Sequence, residues 1–413
     1  VNANFFEKIE KFLFSGVPAH KIRTTFFAVF VPERCAGKIE RTFDKFYNLW
    51  FNKRKEHRRL CPQRCYYISY IIARAGACFD YRTACAAQLR RDGRSSMAKK
   101  QEYGNESITS LKGADRVRKR PAVIFGSDGV EGCAHSIFEI VSNSIDEARD
   151  GHGDTINVTR CKDGSVIVED FGRGMPVDWN NGEGRFNWEL LFCEMYAGGK
   201  YGEGEDNYEF SLGLNGLGLC ATQYASAWMT ADIYRDSYHY HLDFKKGENV
   251  GGLQKEPYKG RRTGSIIHWK PDDEVFTDID VPGSYYKDVL RRQAVVNAGL
   301  TLNFTDEKEK DPATGKPWHE SWCYQNGIAD YVAEVAGEDT LTPVFSCESE
   351  AVGRDREDQP DYKVRMGAAF CFSNKVQLLE YYHNSSWLEH GGSPEHAVRT
   401  AFVYQINKYL KEK

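Results

Sequence analysis

Residues 134–149 read AHSIFEIVSNSIDEAR. Ile137, Val141, Ile145 and Ala148, with Ile140 beside them, recur at three- and four-residue spacing, which predicts an amphipathic helix with a single apolar stripe. Glu139, Asn143 and Asp146 then share the opposite face, the first two separated by about 6 Å of rise. Such a trio reads in two ways, as the solvated side of an ordinary helix or as a cluster built to hold a ligand. The flanking sequence has to separate them.

Downstream, TINVTRCKDGSVIVEDFGRGMP (155–176) reads as a strand, a turn at Asp163-Gly164, and a second strand ending at Glu169-Asp170. The chain then passes through Phe171-Gly172-Arg173-Gly174-Met175-Pro176, where two glycines allow close backbone approach to a flat ligand. An acid at a strand end beside such a turn can accept from an exocyclic amino group of a base; the plain alternative is a hairpin with a capped turn. Residues 196–218, YAGGKYGEGEDNYEFSLGLNGLG, hold seven glycines and lead into the helix start LCATQYASA. Freed backbone amides there can cradle an anion, with Lys200 adding a point charge. The spacing matches neither the dinucleotide-binding nor the Walker loop, and taken alone the loop reads equally as a flexible joint.

An E-x-x-x-N helix, a D-x-G-x-G turn and a G-x-x-G-x-G loop, in that order, together resemble the nucleotide site of the GHKL superfamily, the Bergerat fold. The stretches LKGADRVRKRPAVIFG (111–126), FEIVSNSIDEA (138–148), VEDFGRGMP (168–176), AGGKYG (197–202) and RRTGSIIHWKPDDEVF (261–276) narrow it. They resemble the ATPase subunit of bacterial type II DNA topoisomerases, gyrase B or its topoisomerase IV counterpart, from about Tyr103 to the C-terminus. The resemblance implies an α+β chain, with a two-layer GHKL ATPase domain followed by a partial, ribosomal-protein-like βαβ transducer domain. It also implies ATP and Mg²⁺ as cofactors, with Glu139 as the general base and Asn143 as the Mg²⁺ ligand. Asp170 would hold the adenine amino group, helped by Ser265 through a water. Arg173 would close over the base and pair with Glu147, Gly174, Met175 and Pro176 would line the turn, and Asp146 would be structural to the site. Gly199, Lys200, Tyr208, Gly213, Leu214, Asn215, Gly216, Leu217 and Gly218 would meet the phosphates directly or through the lid backbone. Tyr103 would reach into a partner subunit's nucleotide. Two letters depart from the family: Asn215 stands where the lid commonly has His, and Phe171 where a second acid is frequent.

By resemblance the partners are DNA, the A-type cleavage subunit and a second copy in an ATP-dependent homodimer. The expected divisions are an N-terminal arm at 97–115, the ATPase domain at 116–324 and the transducer at 325–413. In the last, YQNGIADYVAEV (324–335) reads as a helix, DYKVRMGAAFCF (361–372) as a strand, and GGSPEHAVRTAFVYQINKYLKEK (391–413) as a capped amphipathic helix. The family's later transducer lysine, its TOPRIM domain and the DNA-cleaving subunit are not in this sequence, so ATP binding without strand passage is the expectation. Two other readings share the nucleotide residues: a different GHKL ATPase, MutL-like or chaperone-like, and a nucleotide-binding module without turnover.

Composition agrees with a globular chain. The 413 residues are 41% hydrophobic and 28% charged, enough for a sizeable core and two or three domains. No run approaches the roughly 18 apolar residues of a membrane span, and the N-terminus VNANFFEKIEKFLF lacks the order of a secretory signal, so cytoplasm is expected and no membrane partner. The twelve cysteines are scattered; Cys61 and Cys65 have metal-like spacing but no second pair nearby, and reduced thiols are expected. Residues 1–96 hold 19 Lys and Arg against 8 Asp and Glu, a net +11, so the −4 of the whole chain leaves −15 for the remainder. Because the first methionine is Met97, this basic segment reads as an extension translated from a misassigned start. A nucleic-acid-binding arm is the other reading.

Overall fold

The stretch 134–149 folds as most of a twenty-residue helix, Val130–Arg149 (α3), which follows two short ones, Asp115–Arg118 (α1) and Pro121–Phe125 (α2). Ile137, Ile140, Val141 and Ile145 are buried as the stripe predicts, each contributing on the order of 1.5–3 kcal/mol. Ala148 is only partly covered. The computed structural model describes the backbone of residues 24–25 and 27–30, together with residues 111–197, 212, 216–338, 340–354 and 361–412. All of these belong to one compact unit, made of residues 1–36 and 111–413.

The α3 stripe packs on an eight-stranded sheet of spatial order β12 (Pro317–Trp322), β11 (Thr301–Lys310), β3 (Thr155–Arg160), β4 (Val166–Asp170), β10 (Gly264–Pro271), β7 (Ser226–Arg235), β8 (Tyr238–Lys245) and β9 (Glu248–Pro257). Only the β11–β3 pair is parallel. Period-two alternation puts Val166, Val168, Met229, Ala231, Ile233, Leu242, Phe244, Ile267, Trp269, Leu302 and Phe304 into the core. The sheet's other face carries half-covered polar and aromatic side chains. The helices α4 (Asn187–Cys193), α5 (Gly218–Tyr224) and α6 (Gly283–Val296) complete the helical layer with α3. Aromatic stacking of Phe192 on Phe244 and of Tyr286 on Phe304, with centroids 5.2 Å apart in each case, ties that layer to the strands. A two-stranded ribbon, β5 (Trp179–Asn180) and β6 (Arg185–Phe186), precedes α4. The helix read from LCATQYASA is shorter than that stretch suggests, because at Ser226 the chain already pairs with Pro271 in the sheet.

After β12, helix α7 (Ile328–Ala336) leads into a five-stranded sheet of order β13 (Phe345–Gly353), β14 (Tyr362–Phe370), β2 (Phe27–Phe30), β16 (Leu379–His383) and β17 (Ser386–Trp387). A small pair, β1 (Thr24–Thr25) with β15 (Phe372–Ser373), adjoins it in sequence. The last helix is α8 (Gly392–Glu412). Alternation along β14 explains its two partners: Ala368 and Phe370 share a cluster with Val398 of α8, while Ala369 packs with Val332 and Ala336 of α7. The amphipathic reading of α8 holds as far as Gln405, since Pro394, Val398, Ala401 and Gln405 are buried. Val403, Tyr404, Ile406 and Leu410 are exposed. The α+β class, with a two-layer domain followed by a smaller sheet-and-helix part, is thus observed.

One element has no counterpart in the sequence reading. Within the basic 1–96 segment, residues 27–30 form the central strand of the smaller sheet, antiparallel to β14 at Ala28 and Val29 and parallel to β16 along Phe27–Phe30.

Candidate functional site

The helix and the turn meet where the C-terminal end of β4 passes beneath α3, and the described end of the glycine loop, residues 216–218, leads into α5 beside Glu139. Hairpin β3–β4 closes through Cys161–Ser165, with Gly164 at positive φ and the Asp163 carboxylate accepting from the Ser165 amide and hydroxyl. This register leaves Asp170 at the strand end, buried. Its Oδ1 accepts from the backbone N–H of Gly172 at 3.0 Å and of Ser265 at 3.2 Å, and its Oδ2 accepts from the Ser144 hydroxyl at 3.1 Å. Burial pushes this carboxyl above its ordinary range, against the pull of the three donors. Four acceptor positions less three donors leave Oδ2 one direction for another N–H.

Two glycines make this possible. At Gly264 φ is +118° and a Cβ would stand 2.2 Å from the Asp170 carbonyl oxygen, so only glycine lets β10 come close enough for the Ser265 amide to reach the carboxylate. At Gly174 φ is +79° and a Cβ would meet the Tyr234 carbonyl at 2.6 Å. The turn is clasped from above: Arg173 donates Nε and a terminal N–H to the two oxygens of Glu147, 2.8 Å each, and its backbone N–H also reaches Glu147. Burial pushes the Glu147 carboxyl up, and the Arg173 bonds and charge pull it down further, leaving it below the usual carboxylate range. The Met175 amide donates to the Ser265 hydroxyl at 3.3 Å, and Pro176 completes the turn.

On α3, the cluster of three divides. Asp146 is buried, and its Oδ1 accepts from the Leu212 backbone N–H at 2.9 Å, so it anchors the loop that precedes α5. Asp146 thus lies on the same side of α3 as Glu139 and Asn143 but is covered, whereas Glu139 and Asn143 are only partly so. Asn143 uses its amide nitrogen on the Glu139 carbonyl at 2.8 Å, which leaves Oδ1 as an acceptor. The Glu139 carboxylate is partly exposed and lies against the start of α5: a Cβ at Gly218 would stand 1.8 Å from its Oε2. Gly216 sits at positive φ, and its carbonyl accepts from the Tyr196 amide at 3.0 Å, with Leu217 capping α5. Tyr103, Gly199, Lys200, Tyr208, Gly213, Leu214 and Asn215 lie outside the described residues, as do Cys61 and Cys65.

Three residues escaped the sequence reading. His135 lies four residues before Glu139, and its Nε2 meets Oε1 at 3.1 Å while Nδ1 meets the Phe125 carbonyl at 3.2 Å. The Glu139 hydrogen bond raises the His135 pKa although burial opposes it. The i, i+4 spacing was the available signal. Ser144 and Arg118 had no such signal. Arg118 binds Asp272 Oδ2 at 2.6 Å and the carbonyls of Tyr224 and Ser226 at 3.2 Å, joining the VRKRP stretch to PDDEVF and to the end of α5. At Phe171, where an acid was noted as frequent, the half-exposed ring takes the Arg262 guanidinium at 5.4 Å, and Arg262 pairs with Glu169 at 2.6 Å.

The described cysteines are free, and burial pushes the thiols of Cys133, Cys193 and Cys220 up to about 12. Among the described residues no helix is long and apolar enough to cross a membrane.

The chain is similar to known proteins. Residues 327–413 match the family model described as DNA gyrase B. The B subunit of DNA topoisomerase 4 from Staphylococcus aureus strain MW2 is 33% identical over 318 residues, 76% of this chain and 45% of that protein, and the strain N315 protein matches equally. The chain therefore spans about half the length of the curated relatives it matches. A crystal structure of the 43K ATPase domain of Thermus thermophilus gyrase B in complex with an aminocoumarin aligns with 30% identity and a TM-score of 0.48, covering 57% of this chain and 58% of that one. The family-model and relative matches together support a B-type subunit of type II DNA topoisomerases, as in gyrase and topoisomerase IV, as the family of this chain.

Proposed function

We propose that this chain is the ATP-operated part of a type II topoisomerase B-type subunit, binding ATP between α3, the β4–Pro176 turn and the loop ahead of α5. The observation that carries the reading is Asp170: a buried carboxylate with three of its four acceptor positions filled and the fourth suited to the amino group of adenine. Arg173, clamped on Glu147, and Met175, held by Ser265, would border the base. Asn143 Oδ1 is the hard oxygen donor suited to Mg²⁺, which when bound would neutralise phosphate charge. Glu139, carrying no metal, would take the proton of the attacking water, a task typically worth about 10² to 10⁴ in rate. Protonated His135 would hold one Glu139 oxygen and orient the other. A side chain at Gly218 would push the Glu139 carboxylate out of its place, since a Cβ there would stand 1.8 Å from Oε2. With DNA, an A-type cleavage subunit and a second copy as partners, nucleotide binding would close a dimer gate and hydrolysis would reopen it.

Replacing Glu139 with Ala should leave ATP binding measurable by calorimetry while Mg²⁺-dependent phosphate release falls at least a hundredfold. A non-hydrolysable analogue should shift the wild-type chain to a dimer in sedimentation. If the wild-type chain neither binds ATP nor changes its sedimentation, the reading fails.

A further inference from the structure

On the face of the large sheet away from the helices, we infer a transition-metal site formed by Asp232, His239 and His241. The register makes it. Asp232 of β7 stands directly across from His241 of β8, and His239 is two residues along β8 on the same face, so all three side chains rise together. His239 Nε2 and His241 Nδ1 each lie 2.8 Å from the same carboxylate oxygen, Asp232 Oδ1. One ligand atom from each residue falls within 4.8 Å of the others. Two ligands about 2.0 Å from a tetrahedral ion stand about 3.3 Å apart, so small rotations convert the hydrogen-bonded trio into a coordinating one.

Two further features favour a metal over a simple ladder of hydrogen bonds. The far nitrogen of His241, Nε2, lies 3.2 Å from Asp243 Oδ2. An N–H donated there turns the Nδ1 lone pair toward Asp232, the carboxylate–histidine arrangement that orients metal-bound imidazoles. His239 is stacked on the Tyr234 ring at 4.7 Å and 14°, which holds its plane. The three ligands are each about a quarter to a third exposed, so an ion reaches them from solvent and water can complete the coordination. Two imidazoles and one carboxylate suit a borderline divalent ion such as Zn²⁺ rather than Mg²⁺ or Ca²⁺. Coordination displaces the protons that face Asp232: in a neutral ring each moves to the other nitrogen, Nδ1 of His239 and Nε2 of His241, and a protonated ring gives its second proton to solvent.

The test uses the untagged chain, freed of metal with a chelator, with Zn²⁺ titrated against a chromophoric competitor and Co²⁺ as a spectroscopic probe. One Zn²⁺ per chain is expected, with a Co²⁺ spectrum lacking the intense thiolate band that the free cysteines would produce. Asp232→Asn and His241→Ala should each weaken binding at least tenfold, and Asp243→Asn should weaken it about 10- to 100-fold with the stoichiometry kept. Circular dichroism and ATP binding in the same variants separate loss of the site from loss of the fold. Absence of micromolar Zn²⁺ binding, a thiolate spectrum, or unchanged affinity in folded Asp232→Asn and His241→Ala would overturn the assignment.

Discussion

Asp170 shows how a single side chain becomes specific. Surrounded by three donors and shielded from water, its carboxylate tolerates only one more donor, and substitution by Asn places an NH₂ where acceptors are needed. Asp170→Asn should weaken ATP binding by 10- to 100-fold, on the order of 1.5–3 kcal/mol, as read by calorimetry. The Arg173–Glu147 clasp makes a pH-dependent contribution. Because the folded-state pKa of Glu147 is depressed, its stabilisation is fully present above the unfolded value of about 4.3 and is lost as pH falls through the lower folded value. Urea denaturation should therefore show Glu147→Gln less stable than the wild type at pH 7, with the difference shrinking below pH ~4.

At the scale of elements, α1, α5 and the segment after β10 are joined through Arg118. Its guanidinium and the Asp272 carboxylate are both largely buried, at 14% and 3% exposure. Arg118→Ala would leave Asp272 charged without its partner, and removing one member of a buried pair typically costs about 3–5 kcal/mol. A drop in unfolding free energy of that size is expected, with weakened ATP binding following because α5 begins at Gly218 beside Glu139. Helix α3 was legible from its period alone, since one stripe of aliphatic residues can only be buried one way. The division of its polar side was not. Asp146 and Asn143 are three residues apart and nearly isosteric, but the carboxylate accepts from the Leu212 backbone while the amide donates to the Glu139 carbonyl, partners that the helix period alone does not name.

Across the whole molecule, the distant pairing of β2 has the largest consequence. A strand at residues 27–30 sits between β14 and β16, over 300 residues later in the chain. Deleting residues 1–36 should expose the inner edges of both strands, and hydrogen exchange should quicken at 362–370 and 379–383 while the amides of β4 and β10 keep their protection. Unchanged exchange there would mean that this pairing does not support the smaller sheet. The order of motifs, the α3 stripe, the β3–β4 hairpin and the acid at its end were determined by sequence alone, because each depends on neighbours within one or two turns of chain. The closure of Ser144 and Ser265 around Asp170, the Arg118 tie and the insertion of β2 were decided only by the tertiary structure. Hydrogen bonds and strand pairs between residues far apart in sequence leave no periodic trace, and which of many possible partners a polar group takes depends on where the packed core puts it.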